Sequence, residues 1–173
     1  VEVRVVDVAG LDVTPGEPGE LWIRGPNIMA GYYREAAMTA ATMRDGGWLN
    51  TGDMARQEPD GALFIVGRTK ELIIRSGFNV YPLEVETALN AHPCVVQSAV
   101  VGRTLDDGNE DVIAYVELDP RQPASVAQLQ AWLAQTLSPY KCPSAIIVMD
   151  ALPAAATGKI LKGQLRQMAQ NAR

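Results

Sequence analysis

The chain has 173 residues, of which 47% are hydrophobic and 20% charged, and its formal net charge is −5. This is the composition of an ordinary globular protein, and a negative balance with no long basic run excludes a general binder of nucleic-acid backbones. No stretch approaches the run of about 20 apolar residues that spans a bilayer, and Glu2, Arg4 and Asp7 do not fit a signal peptide.

The chain opens without Met in what reads as mid-strand, so a fragment of a longer protein is expected. Val1-Glu2-Val3-Arg4-Val5-Val6 alternates in part at period two, and Leu21-Trp22-Ile23 follows a Pro/Gly-rich turn as a second strand. Glu58-Pro59-Asp60-Gly61 predicts a tight turn joining residues 54–57 to the apolar run 62–66 as a hairpin. From Leu72 onward, strands alternate with amphipathic helices. Leu72-Ile73-Ile74 is β-like, and Pro82 suits the first turn of a helix with Tyr81, Val85, Ala88, Leu89 and His92 on one face. Residues 95–101, 112–118 and 145–149 read as strands. Ser125-Val126-Ala127-Gln128 is a capping box opening a helix striped by Val126, Leu129, Leu133 and Leu137, and residues 162–169 form a last helix. The expected division is a β-rich part over residues 1–69 and an α+β part over 70–173.

Several segments carry residues suited to chemistry. In Trp48-Leu49-Asn50-Thr51-Gly52-Asp53, a loop-held carboxylate can accept from vicinal hydroxyls of a ribose; a plain turn aspartate is the competing reading. In Gly67-Arg68-Thr69-Lys70-Glu71, Arg68 offers a donor fork to the same nucleotide, or else joins a solvated charge cluster. Gly77, between two β-like pieces, permits close approach of backbone to a ligand, or is an ordinary turn glycine. Lys159 sits in the small-residue loop Pro153-Ala154-Ala155-Ala156-Thr157-Gly158-Lys159-Ile160, which is not a phosphate-binding P-loop because Pro153 and Ile160 occupy its glycine and Ser/Thr positions. A loop lysine reaches phosphate or carboxylate as a point charge, whereas a cation near a helix N-terminus is mildly disfavoured. Cys94 and Cys142 lack Cys-x-x-Cys spacing, which suits reduced thiols in a cytoplasmic protein. A single histidine, His92, leaves no His-based metal site or Ser-His-Asp triad.

The order Thr51-Gly52-Asp53, Gly67-Arg68-x-Lys70-Glu71, Ser76-Gly77-Phe78-Asn79-Val80-Tyr81-Pro82-x-Glu84-Val85-Glu86 and Thr157-Gly158-Lys159-Ile160 resembles the adenylate-forming superfamily. The resemblance runs over essentially the whole chain from Gly19-Glu20-Leu21-Trp22-Ile23-Arg24-Gly25, and Gly77 to Pro82 resembles the acyl-CoA synthetase branch in particular. It implies an α+β C-terminal lid domain, with a small sheet flanked by helices and a hairpin, preceded by a β-rich remnant of the large N-terminal domain. It also implies ATP, Mg²⁺ and coenzyme A as reactants or cofactors, with a carboxylic acid and the upstream domain as partners. By the same resemblance, Asp53 binds the ribose hydroxyls with help from Arg68, Lys70 is the hinge, Gly77 lines the pantetheine tunnel and Lys159 serves adenylation. Where the family often has Pro-Lys-Thr this chain has Pro153-Ala154-Ala155. The phosphate loop and the Thr-Glu motif of the family have no counterpart here, so the piece is expected to be incomplete alone. A module that loads a carrier protein, and a non-catalytic lid acting in protein interaction, are the other readings.

Overall fold

The computed structural model describes residues 1–172, and its backbone divides into two compact units, Val1–Lys70 and Glu71–Arg173. The division falls one residue beyond the edge expected from sequence, within a 3-10 turn over Thr69–Glu71.

In the first unit, β1 (Glu2–Val6), β2 (Pro18–Arg24), β3 (Met43–Arg44), β4 (Trp48–Gln57) and β5 (Leu63–Arg68) form one sheet. Its order is β1-β2-β4-β3, with β5 also pairing β4, and every pairing is antiparallel. Val5, Leu21 and Ala55 form its small buried cluster. The expected hairpin is present: Glu58 N–H donates to Ala62 O at 2.8 Å and Gly61 N–H to Glu58 O at 2.9 Å. One element departs from the β-rich reading, a helix α1 (Ala36–Thr42). None of its residues is buried, so it carries no apolar stripe by which periodicity could reveal it.

The second unit opens with a hairpin of β6 (Ile73–Arg75) and β7 (Phe78–Val80). Then come α2 (Pro82–Asn90), β8 (Val95–Thr104), β9 (Glu110–Leu118), α3 (Val126–Thr136), β10 (Ala145–Met149) and α4 (Lys162–Asn171). The sheet runs β10-β9-β8, with β8 antiparallel and β10 parallel to β9. Buried strands with helices on both faces need apolar residues at consecutive positions, and Val112 through Val116 supplies five. Their alternation sorts two cores. Val100, Val112, Ala114 and Val116 face one side with Ile73, Val80, Val85, Leu89, Leu129 and Leu133. Ala99, Val101, Ile113 and Tyr115 face the other with Leu152, Leu165 and Ala169. The β6–β7 hairpin, α2 and α3 therefore cover one face and α4 the other.

Local signals set the helix starts. Pro82 begins α2, where a missing N–H costs nothing. The Ser125 hydroxyl accepts from Gln128 N–H while the Gln128 side chain accepts from Ser125 N–H, closing the capping box of α3. Val85 and Leu89 are fully buried on α2 as its stripe requires, whereas Tyr81, Ala88 and His92 are only half-buried and Pro82 and Glu86 complete the buried face. No helix among the described residues is long and apolar enough to cross a membrane.

Candidate functional site

Asp53 is positioned by an irregularity in β4. Along β2 the register passes from Glu20, opposite Met54, to Trp22, opposite Asn50, so Thr51, Gly52 and Asp53 together face Leu21. Gly52 has φ +74°, a conformation costly for any residue with a Cβ. Side chains hold the bulge in place. Asn50 accepts from Gly52 N–H at 2.9 Å, and Thr51 Oγ1 accepts from Asp53 N–H at 3.0 Å while donating to Leu21 O at 2.9 Å. Asn50 Nδ2 donates in turn to Glu20 Oε2 at 2.8 Å. Bulges of this kind re-aim a side chain, and this one aims Asp53 at Arg68, its register partner on β5. Arg68 Nε lies 2.8 Å from Asp53 Oδ1, with the two side chains 59% and 25% exposed. A carboxylate acceptor and a guanidinium fork thus stand together where a solute can reach both. Lys70 lies two residues on, in the turn at the division between the units.

Gly77 sits at the tip of β6–β7 in a two-residue turn. Ser76 has φ +52° and Gly77 +81°, the paired positive angles that match the twist of a tight hairpin. An added Cβ at Gly77 would meet no atom within 4 Å, so the backbone there borders open space. The turn is anchored from below. Ser76 N–H donates to Asn109 Oδ1 at 2.7 Å, and the Arg75 guanidinium donates to Cys142 O at 2.7 Å, Tyr140 O at 3.2 Å and Ser144 Oγ at 3.0 Å. Asp111 closes this network, accepting from Ser144 Oγ at 2.7 Å and Arg103 at 2.8 Å. Burial pulls the Asp111 carboxyl upward, but the hydrogen bonds from Ser144 and Arg103 and the nearby guanidinium charges outweigh it and hold it below its ordinary value. Phe78 stacks on Tyr140 with centroids 4.7 Å apart.

Lys159 lies on a small hairpin-like loop. Ala155 N–H donates to Lys159 O, Gly158 N–H to Ala155 O and Leu161 N–H to Pro153 O, all within 2.8–2.9 Å. Gly158, at φ +82°, makes the turn. Ile160 packs into the core under α4 while the Lys159 side chain stays exposed. Lys159 and Gly158 share a surface depression with Gln97, whose side chain donates to Glu117 near the end of β9. Gly77 instead is tied through Ser76 to Asn109, just before β9 begins. The two loops thus lie toward opposite ends of a strand about 30 Å long and on opposite faces of its sheet. The structure brings Asp53 and Arg68 together and keeps Gly77 and Lys159 apart.

One cluster escaped the sequence reading. Lys162, the first residue of α4, places Nζ 2.6 Å from Glu71 Oε2 and 2.9 Å from Glu86 Oε1, and Glu86 Oε1 also accepts Val100 N–H at 2.7 Å. Burial lowers the affinity of Lys162 for its proton, yet the hydrogen bonds to Glu71 and Glu86 more than compensate and raise its pKa. The spacing of Glu86 from Pro82 and Leu89, four and three residues, puts it on the buried face of α2 and was the available signal. Among the described residues no group of three or more His, Cys, Asp or Glu is placed to hold a metal ion. None of the described residues is therefore assigned to the Mg²⁺ that the resemblance implies.

Comparison with known proteins shows what the chain is similar to. A family model described as the AMP-binding enzyme C-terminal domain matches residues 84–159, and a model described as AMP-binding enzyme matches residues 1–33. An indoleacetate–CoA ligase of Aromatoleum aromaticum is 38% identical over 96% of this chain and 32% of its own length. A long-chain-fatty-acid–CoA ligase of Yersinia pestis is 41% identical over 95% of this chain and 29% of its own. Among solved structures, ATP-bound MatB from Rhodopseudomonas palustris superposes with a TM-score of 0.90 at 36% identity, covering 98% of this chain and 34% of that one. The chain spans about a third of the length of the relatives it matches.

Proposed function

The chain belongs to the AMP-binding, adenylate-forming enzyme family, and from that premise we propose that it is the C-terminal part of an ATP-dependent acid–CoA ligase. In this reading residues 1–69 end the large nucleotide-binding domain and residues 70–173 are its lid, turning at Lys70. In the first half-reaction a carboxylate oxygen attacks the α-phosphorus of ATP, the bond to the bridging oxygen breaks, and pyrophosphate leaves. Asp53 accepts from the ribose hydroxyls, Arg68 holds Asp53 and the nucleotide, and Lys159 offsets the charge that gathers as one anion attacks another. In the second, the CoA sulfur attacks the acyl carbon, the bond to the AMP oxygen breaks, and the thiol proton passes to solvent. Gly77, bare of side chain, lets the pantetheine arm pass close to backbone.

The observation that carries this reading is the separation of Gly77 from Lys159 on opposite faces and toward opposite ends of one sheet. A rigid lid so built presents one loop at a time to a fixed acyl-adenylate, which is what two successive nucleophiles at one carbonyl require. The acid is a fatty or an aromatic one, in keeping with the long-chain-fatty-acid and indoleacetate ligases among the relatives. A cytoplasmic setting fits Cys94 and Cys142, which are both free thiols.

The test is a two-part assay on the full-length polypeptide with a panel of carboxylic acids. Acid-dependent exchange of pyrophosphate into ATP, followed by thioester formation with free CoA, supports the ligase. Exchange with transfer only to a phosphopantetheinyl carrier protein would transfer the reading to a carrier-loading module. Absence of exchange with every acid would leave a lid without catalysis.

A further inference from the structure

Lys162 occupies a position at which a cation is electrostatically disfavoured. It begins α4, where the helix dipole presents its positive end, and its ammonium is largely withdrawn from water with the side chain 25% exposed. Two carboxylates offset this. Glu71 comes from the turn dividing the two units, immediately after Lys70, and Glu86 from the buried face of α2, where the side chain is 11% exposed. Such buried triads contribute little net stability, because desolvation consumes most of the attraction; what they fix is geometry.

The geometry fixed here joins three places. Glu86 also accepts Val100 N–H, so it is anchored to β8. Lys162 follows Lys159 by three residues, and the segment between is pinned by the Leu161 N–H bond to Pro153 O and by Ile160 in the core. Through one ammonium, the residue that opens the second unit, the edge of its sheet and the base of the Lys159 loop become one piece. We propose that Lys162 is a positioning residue that locks the Lys159 loop to the Lys70–Glu71 turn, so that a rotation at that turn is delivered undiminished to the Lys159 ammonium. The proposal rests on the adenylation role given to Lys159 above.

Lys162→Met keeps the length of the side chain and removes its charge. Glu71→Gln breaks the same link at its more exposed end, with less risk to the fold. In both variants the amides of Ala155, Gly158 and Leu161 exchange with solvent about tenfold faster than in the wild type, by local opening of the loop. Lys141→Met, which breaks a 2.6 Å ion pair with Glu84 elsewhere in the unit, leaves those amides unchanged. In the full-length protein both link variants lower the rate of acyl-adenylate formation by about 10- to 100-fold, as misplacement of a reacting group does, with an unchanged KM for ATP. Conversion of supplied acyl-adenylate to thioester stays within about twofold. Unaltered exchange of the loop amides in both variants, or equal losses in the two half-reactions, overturns the proposal. A wild type that forms no acyl-adenylate at all defeats the ligase reading instead, and the exchange experiment still decides whether the link exists.

Discussion

Asp53 and Arg68 face each other across the β4–β5 ladder with 2.8 Å between carboxylate and guanidinium, the guanidinium exposed and the carboxylate half-buried. A partly exposed pair of this kind adds at most about 1 kcal/mol to folding. Its use is therefore expected to appear in binding rather than in stability. Asp53→Ala in the full-length protein raises KM for ATP by about tenfold or more, the cost of losing charge-assisted hydrogen bonds, while the melting temperature stays near that of the wild type. Pyrophosphate exchange at varied ATP, beside a thermal melt, checks both halves; a stability loss without a KM change refutes the assignment.

Lys159→Ala removes an exposed charge from a loop whose backbone bonds do not involve its side chain. Folding is unaffected. Acyl-adenylate formation falls by about 100-fold or more, on the scale of losing one donor to developing negative charge. Thioester formation from supplied acyl-adenylate is largely spared. Single-turnover assays of each half-reaction measure the split, and equal loss in both counts against the role.

Gly77→Ala tests the opposite loop. Nothing lies within 4 Å of the new methyl group, so the change meets no clash and bears only the cost of an alanine at φ +81°, about 1 kcal/mol. Adenylation continues, whereas thioester formation drops by at least about tenfold because the methyl intrudes where the thiol arm passes. The half-reactions of the variant, measured separately, distinguish this from a general loss of fold.

Asp111 gives the second unit a pH dependence. Its folded pKa lies below the ordinary value, so its contribution is present above about pH 4 and is lost as the pH falls through the folded value. Asp111→Asn accordingly lowers the melting temperature at pH 7, and the difference from the wild type narrows as the pH falls below the ordinary carboxylate range. Thermal melts of the two proteins between pH 2 and pH 7 should converge at the acid end; parallel curves would show that the charge of Asp111 is irrelevant.

The elements of the second unit were legible because their signals are local. A proline at a helix start, a Ser–Gln box and runs of β-branched residues act within a few positions. Helix α1 was not legible, since a helix that buries nothing leaves no stripe. The candidate site divides along the same line. Gly77 stands out in the sequence because its turn needs it, and the motif order pointed to Asp53, Arg68 and Lys159. The contact of Asp53 with Arg68 depends on a strand register that only the folded sheet sets. Lys162 meets Glu71 and Glu86 across 91 and 76 positions of chain, and no local pattern encodes such a meeting.

The division between Lys70 and Glu71 leaves Asp53 and Arg68 on the same side. In the proposed reading, a rotation at that turn would carry Lys159 and Gly77 together and leave Asp53 and Arg68 with the first unit. In that reading the nucleotide therefore keeps the same two holders through both steps. What would change between the steps is the loop presented to the adenylate, and the intermediate would stay held while the thiol is awaited.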